Sequence, residues 1–209
     1  MGTDSPSPLL ETLGLFAIVF VLQQVAALFS LALMAGLFVL APPLESNPWT
    51  IVTSVYAHGN LGHLLSNSFG LLLFGWPIAR ATTRGRFHVF FVLTGSLAGI
   101  SQVLVTGAMA SLTGGSGSAV LGASGAVFAL MGYLIAGNRV SDGLAARVDV
   151  PLWLTLVVFV VLAAAITVAT GSPGVALIAH FTGFLLGLLA GRLGVLEPRA
   201  TARPRQSAI

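Results

Sequence analysis

Six long apolar runs, bounded by polar or helix-breaking residues, alternate with short polar segments along this 209-residue chain. A helix rises 1.5 Å per residue, so about 20 residues cross a hydrocarbon core about 30 Å thick. The pattern therefore predicts an all-α membrane protein, a bundle of six transmembrane helices. The first run is longer than a span requires and the fourth is short. The runs are Leu10 to Leu40, Leu61 to Ala79, Phe87 to Ala108, Ser124 to Gly137, Leu152 to Thr170 and Ala176 to Gly194.

The arginines occupy alternate connections between these runs. They lie between the second and third runs, between the fourth and fifth, and after the sixth, and the other three connections contain none. Because cytoplasmic loops carry an excess of positive charge, this alternation predicts that both termini are cytoplasmic. The first run is too long for a signal-peptide core of roughly 7–15 residues, so we expect it to be retained. The arginines are Arg80, Arg84, Arg86, Arg139, Arg147, Arg192, Arg199, Arg203 and Arg205.

Composition agrees with a membrane solvent. The chain is 56% hydrophobic and 7% charged, whereas soluble domains carry about 25% charged residues. Cysteine is absent, which excludes disulfides, thiolate zinc sites and a cysteine nucleophile. The arginines indicate lipid head groups rather than nucleic acid as partners, and we expect no metal or cofactor. We interpret residues 1–209 as one domain with a core at about 48–191 and a basic, disordered tail at 195–209.

Four polar side chains on three predicted helices lie at similar depth. Counting helical residues from the nearest arginine puts Asn67, Ser124 and His180 about 18–22 Å above the inner boundary, and His63 one turn further out. An ionisable residue inside a span indicates a functional site. The neutral alternative is that His63 and Asn67, which share one helix face, only hydrogen-bond neighbouring helices.

Ser124 lies in Gly122-Ala123-Ser124-Gly125, where a Gly/Ser-rich loop meets the fourth run. Non-helical backbone at this depth is tolerated only when it is buried in protein or lines a watery cavity. A serine at a helix N-terminus is surrounded by unpaired N–H groups that suit a developing oxyanion. The alternative for the tetrapeptide alone is an ordinary N-cap serine.

His180 precedes a glycine spacing that favours close helix packing. Gly183 and Gly187 could approach small residues of the fourth run and bring the imidazole to the Ser124 hydroxyl, as a general base requires. The chain has no acidic residue at this depth, so the chemistry predicted is a Ser/His dyad. No H-E-x-x-H motif or pair of intramembrane aspartates supports another protease class. The small residues of the fourth run are Gly125, Ala129 and Gly132.

Two further histidines are weaker candidates for a role in the functional site. For His58, near the outer mouth, we expect a structural hydrogen bond. For His88, beside Arg86 at the inner interface, we expect a structural or head-group role.

Three motifs together resemble the rhomboid family of intramembrane serine proteases. His58 to Asn67 resembles its second-span motif, Gly122 to Gly125 its fourth-span G-x-S-G motif, and Ala179 to Gly183 its sixth-span motif. The resemblance covers roughly Pro48 to Gly191. It implies hydrolysis of peptide bonds in or near transmembrane segments of other membrane proteins.

The resemblance also implies the residue roles. Ser124 would be the nucleophile and His180 the base, and the oxyanion would be held by His63, Asn67 and the Ser124 backbone N–H. Near them, Gly122 and Ala123 would border the oxyanion site, and the supporting positions would be Phe128, Gly183, Gly125 and His58.

Two positions depart from the family pattern. Trp49-Thr50 stands where many members have Trp-Arg, so the role of that arginine does not carry over. Phe128 stands where a tyrosine often packs beneath the histidine, which preserves stacking and removes the hydroxyl.

Two other classes stay open: a catalytically inactive binder of membrane helices, and a small transporter, for which no inverted repeat is evident. The compact six-span plan favours a prokaryotic cell membrane, with the site opening to the extracytoplasmic side.

Overall fold

The computed structural model describes residues 7–137, 151–171 and 174–197, and within these ranges it contains eight helices and no named strand. Arg139, Arg147 and the tail from residue 198 lie outside the described residues. The helices are α1 (Pro8–Phe29), α2 (Leu31–Phe38), α3 (Thr50–Tyr56), α4 (Leu61–Ala81), α5 (Arg84–Thr113), α6 (Ser124–Ala136), α7 (Leu152–Ala169) and α8 (Leu177–Arg192).

The first predicted run is two helices rather than one. Ser30 is extended at φ −167° and ψ 136°, and its side chain accepts from the backbone N–H of Ala32 at 3.1 Å. A serine that caps the next helix in this way ends one helix and starts another. The expectation of one helix from Leu10 to Leu40 is therefore wrong, because apolar composition alone does not reveal a capping serine.

Three helices are long and apolar enough to cross a membrane by length and composition: α1, α5 and α7. The apolar helices α6 and α8 have 13 and 16 residues, and α4 carries several polar side chains. The all-helical architecture predicted from the sequence is present in the described residues. The count of six spans and the cytoplasmic position of the termini stay predictions.

The main core lies between α1, α3, α4, α5 and α6. Phe16, Leu71, Phe87 and Phe91 are fully or almost fully buried in it. In contrast, α7 packs mainly on α8 and leaves most of its large apolar side chains exposed. Such an apolar surface suits a lipid solvent, and the protein is a membrane protein.

The closest helix pair is α6 with α8. A β-carbon on Gly191 would lie 2.5 Å from the Tyr133 carbonyl oxygen, and one on Gly187 would collide with the Ala129 carbonyl. Gly183 meets Gly125 in the same way. The approach of these helices that the small residues predicted is therefore present, and the α6 backbone leaves no space for a β-carbon at Gly183, Gly187 or Gly191.

Candidate active site

One cavity of about 840 Å³ is lined by five of the predicted site residues, namely Ser124, His180, His63, Asn67 and Phe128. The other five, Gly122, Ala123, Gly125, Gly183 and His58, are not among its lining residues. The polar lining of the cavity includes Ser124 from α6, His63 and Asn67 from α4, and His180 from α8. None of the described residues that line it is Asp, Glu, Lys or Arg. Chemistry in this cavity must therefore depend on neutral polar groups, in agreement with the absence of an acid that the sequence indicated. The structure thus brings together side chains that are more than 110 residues apart in sequence.

Ser124 is the first residue of α6. Ala123, the buried N-cap residue, offers no side-chain hydrogen bond to the exposed N–H groups of the first turn. A helix start without a cap leaves backbone donors and the positive end of the helix dipole available at the cavity. An oxyanion beside Ser124 could accept from them.

The loop before Ser124 is held by backbone hydrogen bonds. Leu40 and Val120 form an antiparallel bridge, with N···O distances of 2.9 and 2.8 Å. Two residues before the serine, the Gly122 N–H donates to the Ser54 carbonyl at 2.9 Å. These contacts fix irregular backbone where it must carry the candidate nucleophile, so the serine does not depend on a mobile loop for its position.

His63 lies directly over this loop. The Gly59 N–H donates to its Nδ1 at 3.4 Å, which makes Nδ1 the acceptor and assigns the proton of the neutral ring to Nε2. A β-carbon on Gly122 would lie only 2.8 Å from Nε2, and Gly122 has φ 131°, which L side chains rarely adopt. Glycine is therefore required here, and it lets an N–H donor approach the backbone beside Ser124.

Asn67 is one helical turn away on the same face of α4. It is buried, and its Nδ2 has no hydrogen-bond partner among the described residues. A buried amide donor without a partner costs stability, typically about 1–3 kcal/mol. Its retention at the cavity wall is explained if a ligand or reacting group supplies the acceptor.

His180 is buried and stacks on Phe128, with ring centroids 4.1 Å apart and an interplanar angle of 17°. The stacking expected for the phenylalanine is thus present. Its Nδ1 has no partner among the described residues, and no hydrogen bond joins the ring to Ser124 there. Hydrogen bonds between a nucleophile and its base are often long in unliganded enzymes and tighten in the substrate complex. We therefore expect a Ser124–His180 hydrogen bond to form when substrate is bound.

Gln102 is a cavity residue that the sequence analysis missed. From α5, its Oε1 accepts from the Ala179 N–H at 3.1 Å, and its Nε2 donates to the Ser118 hydroxyl at 3.2 Å. It thereby ties the residue before His180 to the loop that leads to Ser124. An amide in the middle of an apolar run is itself a signal, because polar groups inside spans are costly unless satisfied.

His58 and His88 lie in different surroundings. The His58 backbone N–H donates to Gln23 Oε1 at 2.9 Å. The ring packs between Phe16 and His63, and burial lowers the pKa of His58 to about 4. The structural hydrogen bond expected at His58 is thus present through its backbone N–H, while aromatic rings pack against its side chain. His88 instead bonds Glu11.

The departure at Thr50 also has a structural explanation. The side chain is buried, and its hydroxyl donates to the Asn47 carbonyl at 2.6 Å as α3 begins. The preceding Trp49 donates from its indole to the Gly36 carbonyl at 2.9 Å. Position 50 therefore stabilises the local turn in this chain. No cluster of three or more His, Cys, Asp or Glu side chains suited to a metal ion occurs in the described ranges.

Comparison with known proteins identifies the family. A model of the rhomboid domain matches residues 45–197. RHOMBOID-like protein 5 of Arabidopsis thaliana is 27% identical over 157 residues, which is 74% of this chain and 47% of that protein. RHOMBOID-like protein 12, mitochondrial, of the same plant is 38% identical over 92 residues, or 39% of this chain and 27% of that protein.

A bacterial relative is matched over a longer region. The rhomboid protease GlpG of Serratia proteamaculans is 29% identical over 191 residues, 85% of this chain and 60% of that protein. The chain spans 60% or less of the length of each of these relatives. Because the domain match covers well over half of the sequence, the chain belongs to the rhomboid family.

Proposed function

We propose that this protein is an intramembrane serine endopeptidase that hydrolyses peptide bonds in or near transmembrane segments of other membrane proteins. The observation that carries the proposal is one cavity lined by Ser124, His180, His63 and Asn67, with no charged side chain among the described residues of its wall. A hydroxyl nucleophile, an imidazole base and two donors are the groups that acyl transfer requires. Membership of a family that includes a named protease supports the same activity.

The proposed reaction has two stages. In the first, the Ser124 hydroxyl oxygen attacks the peptide carbonyl carbon while His180 takes the hydroxyl proton. The negative oxygen of the tetrahedral intermediate accepts from His63, Asn67 and the Ser124 N–H. The C–N bond then breaks, and His180 gives its proton to the departing amine. In the second stage, water attacks the acyl-enzyme with His180 again as base, which releases the acid and restores the serine.

The proposed substrate class follows from the rest of the lining. Phe69, Leu73, Phe74 and Val127 give the cavity an apolar wall that continues along α4 away from the polar groups. An apolar segment of another membrane protein can lie against that wall without burying unpaired charge. Small residues at the cleaved bond would fit beside the close α6 backbone. The proposal includes no cofactor.

Labelling with a fluorophosphonate probe tests the nucleophile. The purified protein in detergent should be labelled, and it should cleave a model transmembrane substrate. Both signals should disappear in Ser124→Ala and His180→Ala. Ser66→Ala is the matched control, because Ser66 lines the same cavity but donates only to the His63 carbonyl of its own helix at 3.0 Å. Labelling that persists without Ser124, or an inert wild type across several lipids, would favour the inactive helix binder.

The proposal also includes six spans in a cell membrane, both termini in the cytoplasm and a site that opens to the opposite side. The absence of cysteine makes this directly testable with single-cysteine variants. Ser46→Cys and Gly115→Cys should react with an impermeant maleimide added outside intact cells. Arg84→Cys should react only after the membrane is opened. Equal labelling of all three from outside would contradict the proposed topology.

A further inference from the structure

A second concave site lies between α5 and α8 and shares no lining residue with the cavity of Ser124. This groove of about 390 Å³ is lined mainly by apolar side chains of α5 and α8 and of the turn that follows α8. Arg86 is the one charged residue among those described along it. The principal apolar residues are Val89, Phe90, Leu93, Leu97, Leu186 and Val195.

The length of the groove matches one leaflet of a bilayer. Its α5 wall runs from Arg86 to Leu97, about 16 Å at 1.5 Å per helical residue. That is about half of a 30 Å hydrocarbon core. Arg86 lies near the first turn of α5, at the end of the bundle where the arginines of the second connection gather. A single acyl chain that starts at the interface would therefore fill the groove.

The guanidinium of Arg86 has more N–H donors than its contacts with the described residues use. It donates from one nitrogen to the Glu197 backbone carbonyl, and it has no ion pair with a carboxylate among the described residues. Arg84, two residues earlier, differs because it pairs with Glu11 at 2.5 Å. Arginine carries five N–H donors in a planar fork that suits phosphate oxygens. The groove thus combines an apolar wall with a cation at its mouth that pairs with no carboxylate in the described part of the chain.

We propose that this groove binds one anionic phospholipid, with an acyl chain along α5 and α8 and its phosphate on Arg86. The apolar wall matches the chain and the guanidinium matches the charge of the head group. A lipid held there touches both the helix that carries Gln102 and the helix that carries His180. It therefore stabilises the contact between α5 and α8 from outside the cavity, whether or not Ser124 is catalytic.

Native mass spectrometry of the full chain in detergent tests the proposal. Phosphatidylglycerol should be retained at one molecule per chain, about tenfold more tightly than phosphatidylcholine with the same acyl chains. Arg86→Gln should reduce this preference to about onefold. Arg80→Gln is the matched control, because it removes one positive charge at the same end of the bundle, but Arg80 lies over the Trp76 ring, 5.2 Å from its centroid. Arg80→Gln should keep the preference for phosphatidylglycerol.

A second variant tests the slot itself. Ala190 lines the groove, so the phenylalanine ring of Ala190→Phe should occupy part of it and weaken the binding of both phosphatidylglycerol and phosphatidylcholine. Thermal unfolding of each variant in detergent verifies that it is folded. Three results would overturn the proposal: equal loss of preference in Arg86→Gln and Arg80→Gln, full binding in a folded Ala190→Phe, or displacement of the lipid by inorganic phosphate alone. A dimer that excludes lipid would assign the groove to a second copy instead.

Discussion

The two ends of the bundle treat polar groups in opposite ways. At the cavity end, Asn67 Nδ2 and His180 Nδ1 are buried and have no partner among the described residues. At the arginine end, Glu11 lies 2.7 Å from His88 Nε2 and 2.5 Å from an Arg84 nitrogen. The carboxylate of Glu11 is thus paired at one end, and Asn67 Nδ2 and His180 Nδ1 have no partner among the described residues at the other.

The difference separates stability from function. Paired charges at the arginine end contribute modestly to the folded state and need no ligand. Unpaired buried donors lower stability, and proteins keep such groups mainly at functional sites. We therefore expect loss of the Glu11 pairs to lower stability with little effect on activity, and loss of the unpaired Asn67 donor to lower activity without lowering stability.

The largest effect is expected where α6 packs on α8, because a mutation that separates these helices should disturb both ends of the bundle. We expect Gly187→Leu to destabilise the protein by at least about 3 kcal/mol and to abolish activity. The value is at the upper end for overpacking because the new side chain meets the Ala129 backbone. Thermal unfolding and substrate cleavage measure both effects. Gly14→Ala is the control, because a β-carbon at Gly14 meets nothing within 4 Å. A stable Gly187→Leu protein would contradict the packing described.

Asn67→Ala sharpens the comparison at the cavity end. Removal of one oxyanion donor should lower kcat by about 10²–10³-fold. The Tm should stay the same or rise, since the deleted Nδ2 has no partner to lose. Ser68→Ala serves as the control, because the Ser68 hydroxyl donates to the Leu64 carbonyl at 2.8 Å on the same helix. If Asn67→Ala unfolds the protein at a much lower temperature, the amide is structural and the comparison fails.

Gln102→Leu should have a smaller effect on activity and a measurable effect on stability. The Ala179 N–H loses its acceptor, which costs about 1–3 kcal/mol for a buried donor. Displacement of the neighbouring His180 should lower kcat by about 10–100-fold with little change in KM. Kinetics and thermal unfolding, each compared with Ser101→Ala, provide the check. A change confined to the Tm would assign Gln102 a purely structural role.

Glu11→Gln at the arginine end should have the smallest effect. The ion pair with Arg84 disappears and the contact with His88 weakens, so the Tm should fall slightly at low ionic strength and less at high salt. The kcat and KM should match those of the wild type. Any large loss of activity would show that the two ends are coupled.

Part of the fold and of the candidate site could be predicted because the signals are local. Apolar runs and breaking residues predict helices, and the spacing of Gly183 and Gly187 predicts a close helix contact that is present. The similar depth of Ser124, His180, His63 and Asn67 along their predicted helices indicated that they form one site. In the structure all four line one cavity. Their catalytic roles stay proposals until the variants are measured.

Other features depend on partners that are distant in sequence. Gln102 meets Ala179 across 77 residues. The position of the His58 ring between Phe16 and His63 depends on α1, on α4 and on the connection between α3 and α4. The break at Ser30 is local but looks like any serine in an apolar run until its hydrogen bonds to the next turn are known.

The sequence by itself determined that the protein is helical, where along each helix its polar residues lie, and which helix face carries Gly183 and Gly187. Each of these follows from the order of residue types along one helix. Only the tertiary structure decided which buried donors lack a partner among the described residues, which amide supports the His180 helix, and where the groove beside Arg86 lies. Those properties depend on how separate helices are arranged around a given atom, and no pattern along a single segment specifies that arrangement.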